Sequence, residues 1–250
     1  MKVARLVAIF LLTSAAAASL AAGSSGSTKA VLKHGPPAFL VGHSASLNWS
    51  GFSSYGSNGS FTDVRGSWTQ PTATCTNKTS YSSFWVGLDG YNSNSVEQLG
   101  TEADCSHGRP QYYAWWEMYP NPSNSIRGFT VTPGQTYTAE VKSNGGGSFT
   151  LTLSGGGNTP YSVTQTIPGA SLSSAEWIAE APSMCAGSCR VLPLTNFGTV
   201  NFSGSSANGK AINAWTFDPL TMVTSGGQTK AAPSGLDSSG TAFSVTWAHG

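Results

Sequence analysis

The chain has 250 residues, and only 9% of them are Asp, Glu, Lys or Arg, with a formal charge of +1, where a soluble domain ordinarily carries about 25% charged residues. That deficit excludes a charge-rich disordered chain, a coiled coil and a nucleic-acid binder working through a basic surface. Aromatic residues at 11%, eight of them Trp, are enough to build the core of one all-β domain of this length.

Residues 1–22 read as a secretory signal peptide. Lys2 and Arg5 form its positive start, residues 6–12 its apolar core, and the Ala-rich run 15–22 offers small-residue cleavage sites. The apolar core falls far short of the roughly 20 residues that span a bilayer. A secreted, extracellular protein with no membrane partner is therefore expected. Residues 23–45 are rich in Gly, Ser and Pro and carry Lys29, Lys33, His34 and His43 but no acid. They read as a basic pro-segment or as a flexible tail. Taking away 1–45 removes four of the twelve Lys and Arg and none of the eleven Asp and Glu. Residues 46–250, read as a single catalytic domain, then carry about −3.

Next come short β-branched and aromatic runs punctuated by Gly, Asn, Ser and Pro. Strands are expected at 61–69, 82–88, 96–100, 111–119, 126–131, 136–142, 148–154, 161–167, 176–180, 199–202, 211–217 and 243–247. Residues 144–147 and 155–158 read as hairpin turns, and 168–175 as one short helical turn. Many short strands with turn signals predict an antiparallel β-sandwich, with no second domain. Cys75, Cys105, Cys185 and Cys189 are even in number in a chain read as exported, so disulfides are expected. Three connectivities are open. The short loop between Cys185 and Cys189 suits a hairpin tip, which leaves Cys75 with Cys105. Few His and no paired CxxC spacing argue against zinc.

Alternation along the strands sorts side chains by face. Tyr113, Trp115, Glu117 and Tyr119 share one face of their strand. Trp85 shares a face with Asp89, Gln98 with Val96 and Gly100, and Glu176 with Ile178 and Glu180. Several strands thus place one polar group beside large aromatics, the pattern of a concave face lined for binding. Serine-triad chemistry lacks a nucleophile elbow and a suitable His, because His107 sits in an expected surface loop and His249 is penultimate. Aspartic-protease chemistry lacks two Asp in matching contexts. What remains is carboxylate chemistry from Glu97, Glu102, Glu117, Glu140, Glu176 and Glu180, with no cofactor and no metal expected.

Six short motifs then follow in order: Asn48-Trp49-Ser50-Gly51, Ser67-Trp68-Thr69-Gln70-Pro71, Trp85-Val86-Gly87-Leu88-Asp89-Gly90, Glu97-Gln98-Leu99-Gly100, Trp115-Trp116-Glu117-Met118-Tyr119-Pro120 and Ala175-Glu176-Trp177-Ile178-Ala179-Glu180. From about residue 46 onward the series resembles the glutamic peptidases (eqolisins), secreted acid endopeptidases. The resemblance implies a lectin-like sandwich of two long antiparallel sheets and a zymogen with a pro-segment. It implies a catalytic pair of Gln98, stabilising the oxyanion, and Glu180, the second acid of its strand, activating water. It also implies that Trp49, Trp85, Asp89 and Glu117 line or support the cleft, with Glu102 near Gln98 where the family often has Asp. Tyr113 stands where fungal members carry Asp. Polypeptide substrates, resistance to pepstatin and a monomer follow as expectations. By strand alternation alone, Glu176 is as good a base as Glu180.

A glycoside hydrolase or carbohydrate-binding module on a similar sandwich is the alternative, using two carboxylates such as Glu117 and Glu180. The charge asymmetry also suggests that Lys29, Lys33, His34 and His43 dock the pro-segment on the acidic cleft near neutrality and release it in acid.

Overall fold

The computed structural model describes residues 30–36 and 44–250. The expected signal peptide, Lys29 and His43 lie outside the described residues. Nineteen strands and one 3-10 turn, Ile212–Ala214, make up the regular structure of the described residues. Sixteen strands form one sheet that doubles over into two layers. The front layer runs in the order Thr216–Val223, Trp49–Tyr55, Ser174–Glu180, Ser83–Leu88, Val96–Ser106 and Arg109–Tyr119, each antiparallel to its neighbour. The back layer runs Tyr161–Thr166, Ser148–Gly155, Thr136–Gly145, Asp63–Thr69, Thr199–Ala207 and Phe243–Trp247. The expected sandwich is thus the observed one.

Back-layer strands alternate buried and open positions, as in Thr136–Gly145 and Ser148–Gly155, because one face meets the core and the other meets water. The front strands Ser83–Leu88 and Ser174–Glu180 are buried at every residue. Their inner face packs on the back layer. Trp177 Nε1 donates across the layers to Arg65 O at 2.8 Å, and Trp68 Nε1 to Thr101 Oγ1 at 2.8 Å. Their outer face is covered by a second aromatic cluster that includes Trp49, Trp85, Trp115 and Ile178. The second face is therefore a lined cleft.

Several sequence-based expectations are corrected. Residues 126–131 form no strand, although the apolar Ile126, Phe129 and Val131 that suggested one are buried. Gly128 takes φ +78°, and the Thr130 amide is satisfied by the Asn158 side chain, so this stretch is a turn tied to a neighbouring loop. Residues 168–175 contain no helical turn; the chain turns at Pro168–Gly169, and the next strand begins at Ser174. The stretch 211–217 divides into the end of one strand, the 3-10 turn and the start of Thr216–Val223. Trp49–Tyr55, absent from the sequence-based strands, lies inside the front layer between Thr216–Val223 and Ser174–Glu180, and the strand expected at 96–100 extends to Ser106.

Both disulfides form, Cys75–Cys105 and Cys185–Cys189. The second closes the tip of the Ser183–Ala186 and Ser188–Val191 hairpin. That hairpin has a further partner, since Val31–Lys33 adds to it as an antiparallel strand with Val31 opposite Cys185 and Lys33 opposite Ser183.

Candidate active site

Register places the acids of the cleft. Gln98 pairs with Glu117 on one side and with Gly87 on the other, and Gly87 in turn pairs with Glu176. One level along, Trp115, Gly100, Trp85 and Ile178 line up, and at the far end Tyr113, Glu102, Ser83 and Glu180. All these side chains share the outer face by strand alternation. Gly100 makes the groove possible. A Cβ there would lie 2.2 Å from Phe84 O and 2.6 Å from Trp85 Cβ, so any side chain would push the Trp85 strand away. Glu102, Glu117, Glu176, Glu180 and Gln98 are all fully buried.

Part of this cleft is occupied by a residue of the basic segment. His34 enters the cleft one residue after the added strand. Its ring stacks on Trp115, with centroids 3.6 Å apart and planes 8° from parallel. Nε2 lies 2.7 Å from Glu102 Oε1, and Nδ1 lies 2.9 Å from Glu117 Oε2. The His34 amide also donates to Glu117 Oε2 at 2.9 Å, and the Gln98 Nε2 amide donates to the His34 carbonyl at 2.5 Å. Beyond His34, Asn48 Nδ2 donates to the carbonyls of Gly35 and Pro36. Lys33 Nζ donates to Pro120 O at 2.7 Å.

Burial opposes charge on His34, but the Glu102 charge and the hydrogen bonds to Glu102 and Glu117 outweigh it and push its pKa up to about 10. The ring is an imidazolium donating through both nitrogens. Glu180 is pushed up to about 8, chiefly by burial, against the attraction of His34 and the hydrogen bond from Trp85. Trp85 Nε1 donates to Glu180 Oε2 at 2.8 Å. Burial also raises Glu117, against its bonds to His34.

Glu176 belongs to a different neighbourhood. It accepts from Ser53 Oγ at 3.2 Å, and burial with the charges of Asp89 and Glu97 holds it well above the ordinary range. The cluster around His34 therefore gathers Gln98, Glu102, Glu117 and, by charge, Glu180. Trp85 reaches Glu180, and Trp49 meets the Trp85 ring edge-on at 4.9 Å. Asp89 stands apart from this cluster. It accepts the amides of Leu172 (2.7 Å) and Ser173 (2.8 Å), fixing the loop that leads into the Glu180 strand. Tyr113 donates to Asp104 Oδ2 at 3.1 Å, beside Glu102 in register. His107 is exposed in a turn, as expected. No cluster of His, Cys, Asp and Glu among the described residues is arranged to hold a metal. An open cavity of about 1090 Å³ lined by Thr74, Arg190, Lys230 and Trp247 contains none of the cleft acids. The charge asymmetry suggests that His34 docks on the acidic cleft; that it meets Trp115, Glu102 and Glu117 in particular is not legible in the sequence.

This architecture is shared. Residues 47–247 match the Peptidase A4 family. No curated protein matches the chain. Among solved structures, scytalido-glutamic peptidase with a transition-state analogue inhibitor is 23% identical, with a TM-score of 0.70 over 81% of this chain and 98% of that one. SCP-B, an eqolisin in complex with the tripeptide Ala-Ile-His, is 21% identical, with a TM-score of 0.66 over 81% and 98%. Aspergilloglutamic peptidase from Aspergillus niger is 24% identical, with a TM-score of 0.54 over 68% and 99%. At these identities the likeness is one of fold, and the family match over the whole described sandwich carries the assignment: the chain belongs to the Peptidase A4 family, the glutamic endopeptidases.

Proposed function

We propose that this glutamic peptidase is an exported acid endopeptidase whose base is Glu180 and whose oxyanion donor is Gln98. One observation carries the reading. The Gln98 amide donates to a backbone carbonyl held in the cleft, the bond a peptidase needs to make with a tetrahedral oxyanion. Glu180 takes a proton from water, the water oxygen attacks the carbonyl carbon, and Gln98 stabilises the resulting oxyanion. Glu180 then gives the proton to the leaving amine. A neutral amide donates at any pH, so the donor is unaffected by acid.

Residues 30–36 act in this reading as part of a pro-segment that blocks the cleft. Under that cover the Glu180 pKa stands near 8, so its ionised fraction grows only toward neutral pH. Removing the segment readmits water and removes the largest cause of the upward shift. The carboxyl then returns toward the ordinary range, where an ionised fraction exists at acidic pH. The occupant of the cleft is peptide, and solved relatives are described as complexes with peptide ligands. No comparable observation favours the carbohydrate reading.

The test is digestion of denatured casein near pH 3 with pepstatin present. Cleavage is expected to continue. Glu180→Gln and Gln98→Ala should each lower kcat/KM by at least about 100-fold with the fold intact by circular dichroism. Glu176→Gln should retain most activity. Near-native activity of Glu180→Gln together with an inactive Glu176→Gln would transfer the role of base to Glu176.

A further inference from the structure

The 30–36 segment enters the cleft as an extended peptide. Val31–Lys33 adds as a strand to the edge at Ser183–Cys185, the usual way an extended peptide gains main-chain bonds. The His34 carbonyl sits on Gln98, and the two following carbonyls are held by Asn48. The chain is thus gripped on both sides of one peptide bond. The side chain before that bond enters a pocket with a Trp115 floor and two carboxylate walls, Glu102 and Glu117. On the far side, a Cβ at Gly35 would lie 3.2 Å from the Tyr119 ring, so the next position favours a small residue.

We infer that the His34–Gly35 bond is the one this enzyme cleaves in its own chain, and that its pocket selects substrates with a flat cationic side chain, foremost His, ahead of the scissile bond. This rests on the Gln98 and Glu180 reading above and adds a substrate class to it. Water adds to the His34 carbonyl carbon, the carbon–nitrogen bond to Gly35 breaks, and the products are a carboxylate on His34 and an amine on Gly35. The pocket recognises three features together. Stacking on Trp115 requires a flat ring, and a cation over an indole is attracted to its face. Glu102 and Glu117 each accept one ring N–H, so both nitrogens must donate. The peptide amide of the same residue donates to Glu117, tying side-chain choice to backbone register. Arg meets the first two requirements in part; Phe meets only stacking, and Glu meets none.

Two measurements test this. The full chain carrying Glu180→Gln is incubated with active wild-type enzyme, and the first cut is located by mass spectrometry. Gly35 is expected as the new N-terminus, and adding His34→Glu should abolish that cut. Separately, Leu-Lys-X-Gly-Pro-Ala peptides with X as His, Arg, Phe or Glu are compared at pH 5, where the imidazole is charged. His should exceed Phe by at least about tenfold in kcat/KM, the scale of charge-assisted hydrogen bonds, and Glu117→Gln should shrink that ratio. A first cut elsewhere with equal rates for His and Phe overturns the inference, and casein digestion in the same preparation leaves the peptidase assignment standing. Loss of casein digestion and of all peptide cleavage by the wild-type enzyme overturns both.

Discussion

Trp85 Nε1 donates to Glu180 Oε2, a bond that favours the ionised carboxyl and restrains a pKa that burial pushes up. Replacing Trp85 with Phe removes that donor and keeps most of the packing. The acid limb of the pH–rate profile should then move to higher pH, because a base with a raised pKa is protonated over more of the acidic range. An unchanged acid limb would separate Trp85 from the tuning of Glu180. Both glutamates of the motif strand face the cleft, as alternation predicts, but Glu180 shares charge with the peptide occupant and Glu176 shares it with Asp89 and Glu97. Periodicity could not distinguish these neighbourhoods, because both residues sit on one face of one strand.

At the scale of elements, the front layer depends on close strand approach beneath the aromatic cluster. Gly100→Ala should destabilise the fold by about 1–3 kcal/mol, the usual cost of overpacking, since its Cβ would meet Phe84 O at 2.2 Å. Urea unfolding followed by Trp fluorescence would read it. Cys75–Cys105 spans 30 residues and pins the start of the region before the Trp85 strand to the end of the Gln98 strand. Replacing both cysteines with Ala should cost about 3–4 kcal/mol by loop-closure entropy, visible as a lowered urea midpoint. Strand existence was largely legible from β-branched and aromatic runs between turn residues, while the Trp49–Tyr55 strand and the turn at 126–131 were not. The apolar residues of that turn mimic a strand, but the Ile126 amide bonds the Ala114 carbonyl and the Thr130 amide bonds the Asn158 side chain.

At the scale of the whole molecule, several buried carboxyls have raised pKa values. Glu97 is pushed up to about 8 and Asp104 to about 9, in both cases first by burial, and Glu180 and Glu176 move in the same direction. A carboxyl whose folded pKa exceeds its unfolded value favours the folded state while protonated. Its stabilisation is complete below the unfolded value, near 3.8 for Asp104 and 4.5 for the glutamates, and is lost as pH climbs through about 8 to 9. His34 acts in the same sense. Its contribution to the docked segment is complete below about 6.5 and lost as pH rises through about 10. Thermal unfolding should therefore show a higher Tm near pH 4 than near pH 8.5. A Tm that rises across that interval would contradict the buried-acid account.

The sequence by itself determined the sandwich, because alternating short strands with Gly-rich turns admit few other architectures. It also put Glu117 on the Trp115 face and Glu176 on one face with Glu180, because parity within a strand does not depend on long-range packing. Only the tertiary structure decided which acids meet. The register of Gln98, Gly87 and Glu176 against that of Glu102, Ser83 and Glu180 is set across strands distant in sequence. Only the tertiary structure, too, put His34 on Trp115. That placement comes from strand addition to a hairpin about 150 residues away, a pairing of backbone edges that leaves no periodic mark in the sequence.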